Sequence, residues 1–356
     1  MSSNRPSIPS TATLGLSSPK ASEDISWLGW NKPEHTALLW CLAAASDQDL
    51  ALNTLMRMAG NLDDDGAELP TQLCEDEALR VRFFALLGGS TLLGDHMAAH
   101  PETWKELLKP LPEKSEMFQQ MLQAVGGQVA DFADPDADSD SGPGTTAGAG
   151  SSTGSGAEPD NDDAPDPASS DLSTPGTYRA AMTGSDATCA LRDAYRTLML
   201  RIAAHDLAGS YFARKGQTEP QPKLLFSTIT GALSDLADAA LTAALAVAVA
   251  EVYGPCVGGA TESGAVTTKS TTKNTTKNKL PKPVDARLAV IAMGKCGAQE
   301  LNYISDVDVI FVAEPASNKA TRLAAEFNRI GSAAFFEVDP NLRPEGTSGA
   351  LVRTLE

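Results

Sequence analysis

The sequence predicts an α+β protein, a helical bundle region followed by a smaller α/β unit. Three observations carry that reading. Apolar residues recur at three- and four-residue steps over residues 33–132 and 178–254. Two β-branched runs of strand length, separated by a Gly-Lys turn, then lie between Arg287 and Val312. Two stretches poor in large apolar residues, 133–177 and 255–284, divide the chain. At 356 residues it exceeds the roughly 100–200 residues usual for one domain.

Taken in order, residues 1–32 open with Ser and Pro, lack the apolar core of a secretory signal, and read as a disordered tail. Helical pattern begins at Pro33, breaks at Asp47-Gln48-Asp49, and resumes with Leu50, Leu52, Leu55 and Met58. A third run, Leu79 to Leu87, stops at Gly88-Gly89; Ser90 is placed to cap a short helix reaching His100, and Pro101 to start the next. Residues 133–177 are an acidic, flexible insert. In residues 178–254, Leu191, Ala194, Leu198, Met199 and Ile202 form one apolar stripe, with Arg192, Arg196 and Arg201 read as a solvated face. The Ala-rich run 225–253 reads as a buried helix, its most apolar window being shorter than the roughly 20 residues of a membrane span. Residues 255–284 read as a disordered linker, and 285–356 as the α/β core.

The 28 basic and 46 acidic residues give a net charge of −18, which argues against bulk nucleic-acid binding but leaves room for a nucleotide. Five cysteines without CxxC spacing indicate neither a zinc ribbon nor a disulfide framework, and fit a reducing cytoplasm. No membrane association is expected. His96 and His100, at i and i+4, could share a helix face and bind a metal; without a third ligand or an adjacent Glu as general base, they read as helix-end residues before Pro101.

The chemistry concentrates after Arg287. Asp306 and Asp308, two apart on a strand, present paired carboxylates on one face. Such a pair suits Mg²⁺ and substrate phosphates, and Asp339, on a strand 335–339 reached through a helix 317–330, is the candidate third acid. Gly294 permits close backbone approach to a phosphate, and Lys295 offers a point charge. The spacing is neither Walker A nor GxGxxG.

The run from Met293 through Gly294-Lys295-Cys296-Gly297, Glu300-Leu301-Asn302-Tyr303 and Ser305-Asp306-Val307-Asp308 to Phe311 resembles the signature of the glutamine synthetase adenylyltransferase/deadenylyltransferase family. The run Val338-Asp339 through Leu342-Arg343-Pro344 to Gly346 resembles its downstream element, and residues 92–104 and 191–206 resemble helical segments of its amino-terminal half. Departures are Cys296 for Leu, Ala298 for Gly, Gln299 for a basic residue, and Pro340-Asn341 for Leu-Arg.

The resemblance implies a polymerase-β-like nucleotidyltransferase fold and a cytoplasmic regulator of nitrogen assimilation. It implies removal of AMP from a glutamine synthetase tyrosine by phosphorolysis, with adenylylation by a second half in full-length relatives. The implied partners are glutamine synthetase, ATP/ADP, phosphate and a PII-type signalling protein. Asp306, Asp308 and Asp339 become Mg²⁺ ligands, and Gly294, Lys295, Ser305 and Arg343 line the phosphate side. Seventeen residues, 340–356, follow Asp339. The core is therefore expected to be incomplete on its C-terminal side, with a catalytically inactive fragment that binds glutamine synthetase or a signalling protein as the alternative reading.

Overall fold

The computed structural model describes residues 8–62, 68–132, 177–214, 222–256 and 282–354. Almost all of the acidic insert and most of the linker lie outside the described residues.

Seven helices come first: α1 (Ala21–Trp27), α2 (Thr36–Ala43), α3 (Gln48–Ala59), α4 (Leu69–Glu75), α5 (Glu77–Gly89), α6 (Thr91–Ala99) and α7 (Lys114–Ala124). Their starts follow from capping chemistry. Asp47 accepts from Leu50 N, Asp76 from Ala78 N and Leu79 N, and Ser90 from Leu93 N, satisfying amides that the first helical turn leaves without partners. Helix α5 runs through the middle of this region, burying Phe83, Phe84, Leu86 and Leu87; Trp30 meets Phe84 edge-on at 6.0 Å. Pro101–Leu108 forms a 3₁₀ turn rather than an α-helix.

Residues 8–32 correct the sequence expectation of a disordered tail, residues 1–7 of that expectation lying outside the described residues. Leu14, Leu16, Ile25 and Trp30 are buried, and Asp49 on α3 accepts from Ser17 N, Ser17 Oγ and Ser18 N. Residues 8–32 are therefore packed against the helical region and not a tail, because a few well-spaced apolar side chains and one carboxylate anchor a segment that is otherwise Ser- and Pro-rich.

A two-stranded antiparallel ribbon, β1 (Gln128–Val129) with β2 (Tyr178–Arg179), leads into the two long helices α8 (Gly184–Arg214) and α9 (Pro222–Tyr253). Leu225–Tyr253 is long and apolar enough to cross a membrane, but it is the core helix of this fold. Ala239, Ala240, Ala243, Ala244 and Val247 are fully buried, and α9 packs against α7, α8 and a later helix of the sheet unit. Arg201 on α8 departs from the solvated-face reading: it is 2% exposed, and its guanidinium grips Glu116 of α7 at 2.6 and 3.0 Å. The helix buries this cation because a carboxylate from another helix meets it.

The α/β unit is built on β4 (Val307–Glu314). It pairs antiparallel with β3 (Arg287–Ala292) on one edge, and parallel with β5 (Val338–Asp339) and β6 (Val352–Arg353) on the other. Alternation decides its faces. Val307, Val309, Phe311 and Ala313 are buried while Asp308, Ile310 and Val312 look the other way. Helix α11 (Asn318–Ala334), capped by Ser317, covers the buried face, with Phe327 edge-on to Phe311 at 5.6 Å. The expected strand 335–339 is shorter than predicted: Phe335 and Phe336 turn out of line to pack on Tyr195 of α8, and only Val338–Asp339 pairs with β4. The linker's last residues are also ordered, since Val284 is buried and its N–H donates to Asp131 O.

Candidate active site

Where β4 begins, parallel pairing places Asp308 opposite Asp339 of β5, and Asp306 lies one residue before the strand. Carboxylate oxygens of Asp306, Asp308 and Asp339 lie within 4.8 Å of one another. The sequence separates the third acid from the pair by a helix; the β4–α11–β5 crossover reunites them. Burial, followed by the charges of Asp306 and Asp339, raises the pKa of the Asp308 carboxyl, with Lys295 pulling the other way. A like-charged, all-oxygen set of this kind fits a hard divalent cation, which offsets the repulsion among its ligands.

The turn between β3 and β4 closes over these acids. Met293 N donates to Asp308 O at 2.8 Å, and the short helix α10 (Gly294–Gly297) follows. Gly294 has φ +54°, and a Cβ there would stand 2.8 Å from Asp308 Oδ2. The glycine is thus required twice, by backbone hand and by the nearness of a carboxylate. Lys295 Nζ donates to Ser305 Oγ at 3.3 Å, and buried Ser305 donates to Asn302 Oδ1 at 2.8 Å. Gly294, Lys295 and Ser305 therefore gather beside the triad.

Arg343 differs from its expected place. Its guanidinium donates to Pro340 O at 2.8 Å and to Gly349 O at 3.2 Å, so it secures the loop after Asp339 rather than lining the phosphate side. Asn341 N donates to Asp339 Oδ1 at 2.8 Å, so the residue that departs from the family pattern serves the triad through its backbone.

Several contributors escaped the sequence reading. Asn302 accepts from both Ile304 N and Ser305 Oγ, shaping the turn before Asp306. Helix α8 grips both sides of the site: Asp206 accepts from the Tyr303 hydroxyl at 2.9 Å, and Arg192 donates to Ala333 O at 2.6 Å. Ser234 of α9 accepts from Leu301 N. A cavity of about 420 Å³ opens beside this turn, lined among others by Tyr195, Arg196, Tyr303, Ser305, Phe335 and Phe336. Only the Asn-Tyr pair of the signature hinted at these braces; the others depend on long-range packing.

The family model for glutamate-ammonia ligase adenylyltransferase matches residues 176–356, a span that holds the triad, the Gly-Lys turn and both long helices. The chain belongs to this family. The matched span takes in helices α8 and α9 together with the sheet and its acidic edge. Similar proteins include the bifunctional glutamine synthetase adenylyltransferase/adenylyl-removing enzymes of Corynebacterium efficiens, 48% identical, and Corynebacterium diphtheriae, 49% identical, each over 99% of this chain. The enzyme of the same name from Mycobacterium tuberculosis is 37% identical over 100% of it. The chain spans about 29% of the length of the C. efficiens relative, 31% of the C. diphtheriae one and 28% of the M. tuberculosis one.

Proposed function

We propose that this chain carries an adenylyl-removing site, which transfers AMP from a modified glutamine synthetase tyrosine to inorganic phosphate. The observation that carries the reading is the convergence of Asp306, Asp308 and Asp339 beside the left-handed backbone of Gly294. The relatives, glutamine synthetase adenylyltransferase/adenylyl-removing enzymes, supply the substrate, and the resemblance of the Asn302-Tyr303 signature to the family's first half supplies the direction.

In the reaction a phosphate oxygen bonds to the AMP phosphorus as the bond to the tyrosyl oxygen breaks, giving ADP and the unmodified tyrosine side chain, whose oxygen takes up the proton the phosphate gives up. Asp306, Asp308 and Asp339 would hold Mg²⁺, whose contribution when bound is to neutralise charge on the phosphoryl oxygens. The backbone at Gly294 admits a phosphate close to the carboxylates, and Lys295 adds positive charge on that side. Ser305 and Asn302 keep the turn in register, and the aromatic lining of the neighbouring cavity offers a ring a stacking surface. Since these groups position and offset charge without forming a covalent intermediate, the same site serves either direction.

The test is to incubate the purified chain with adenylylated glutamine synthetase, phosphate and Mg²⁺. ADP release that depends on phosphate supports the removing direction. Label incorporated from ATP into unmodified glutamine synthetase, without phosphate-dependent ADP release, assigns the opposite direction and overturns this one.

A further inference from the structure

A second cluster of ligating side chains lies away from the triad. His96 on α6 and His100 at that helix's C-terminal cap lie side by side, their rings tilted at 44° with centroids 4.8 Å apart. Packing of α6 against α8 brings Asp193 to them, so that one ligand atom from each of His96, His100 and Asp193 lies within 4.8 Å of the others. Asp193 is the third ligand that local sequence lacked.

We propose that His96, His100 and Asp193 form a binding site for a borderline transition-metal cation of the Zn²⁺ class, tying α6 to α8. Two imidazole nitrogens and a carboxylate oxygen make a donor set that such ions take readily, and that Mg²⁺, which prefers oxygen throughout, does not. The two ligand clusters among the described residues are thus sorted by donor chemistry. A further carboxylate stands at the edge of the cluster, with Glu102 Oε1 3.8 Å from His100 Nδ1.

Geometry needs only a small adjustment. Ligands about 2.1 Å from a tetrahedral ion are about 3.4 Å apart, so separations of up to 4.8 Å must close by at most about 1.4 Å. His100 has a side chain 42% exposed and can swing, and Asp193 is exposed as well. His96 is the fixed member: it is 4% exposed, and its Nε2 lies 3.2 Å from the Thr197 hydroxyl, one α8 turn beyond Asp193.

The experiment titrates the metal-stripped 356-residue chain with Zn²⁺ by calorimetry, and with Co²⁺ by its visible absorption, in millimolar Mg²⁺. One equivalent is expected to bind. His100→Asn and Asp193→Asn, both at exposed positions, are each expected to weaken it at least tenfold, the scale on which even supporting groups of metal sites act. Asp306→Asn is expected to leave it unchanged, which separates this site from the triad. Far-ultraviolet circular dichroism confirms that the variants fold. The proposal is overturned if no equivalent binds, if binding survives both exposed variants, or if Asp306→Asn abolishes it.

Discussion

Replacing Gly294 with alanine perturbs the site through one methyl group. Two effects separate cleanly. The left-handed backbone at φ +54° costs an L-residue about 1–2 kcal/mol of stability. The new Cβ would also stand 2.8 Å from Asp308 Oδ2, closer than real Cβ atoms come. That oxygen ends a short side chain that can turn away, so the clash adds little to the stability loss and instead moves a carboxylate of the triad. A displacement of about an ångström at a reacting centre lowers the rate on the order of 100-fold. Gly29→Ala is the matched control, since Gly29 has φ +72° and open space where its Cβ would be. Urea unfolding is expected to show similar losses for the two variants, while ADP release from adenylylated glutamine synthetase falls about 100-fold in Gly294→Ala alone. Equal activity in the two variants would refute the claim that Gly294 makes room for Asp308.

Gly88→Ala tests the helical core, because its Cβ would meet Asp47 O at 2.7 Å and Ala45 Cβ at 2.8 Å, neither of which can yield easily; thermal unfolding should report a loss of about 1–3 kcal/mol. Arg201→Ala removes the partner of Glu116 and should cost about 3 kcal/mol, the low end for a broken buried pair because Glu116 is partly solvated. The Arg201 guanidinium holds the Glu116 carboxyl below its ordinary value of 4.5, so this pair's contribution is complete above that value and is lost as pH falls through the lowered folded value. Acid titration of unfolding should therefore show a steeper stability loss below that pH in the wild type than in Glu116→Gln. Tyr303→Phe deletes the hydrogen bond to Asp206 and should cost about 1 kcal/mol by urea unfolding.

How much was legible in the sequence depended on whether the relevant partners were local. Asp306 and Asp308 were readable as a pair from their spacing of two at a strand, although only Asp308 lies within β4, and Asp339 from a strand that follows an intervening helix. The cap at Ser90 was readable for the same local reason, whereas Asp47 was read only as a break and its capping of α3 emerged from the structure. Arg201 was misplaced because its partner sits on α7, and His96 was read as a helix end because Asp193 is supplied by α8. The order of residues 8–32 rests on Asp49 capturing Ser17 and Ser18, a contact no periodicity announces. Arg343 was assigned to the phosphate by motif position, whereas the carbonyls of Pro340 and Gly349 claim its donors.

The most direct measurement compares ADP formation from adenylylated glutamine synthetase and phosphate by the wild-type chain and by folded Asp306→Ala and Asp339→Ala variants in Mg²⁺. Removing a carboxylate from either side of the β4–β5 junction is predicted to abolish release, since both strands must contribute for the cluster to exist. Full activity in either variant would contradict the account.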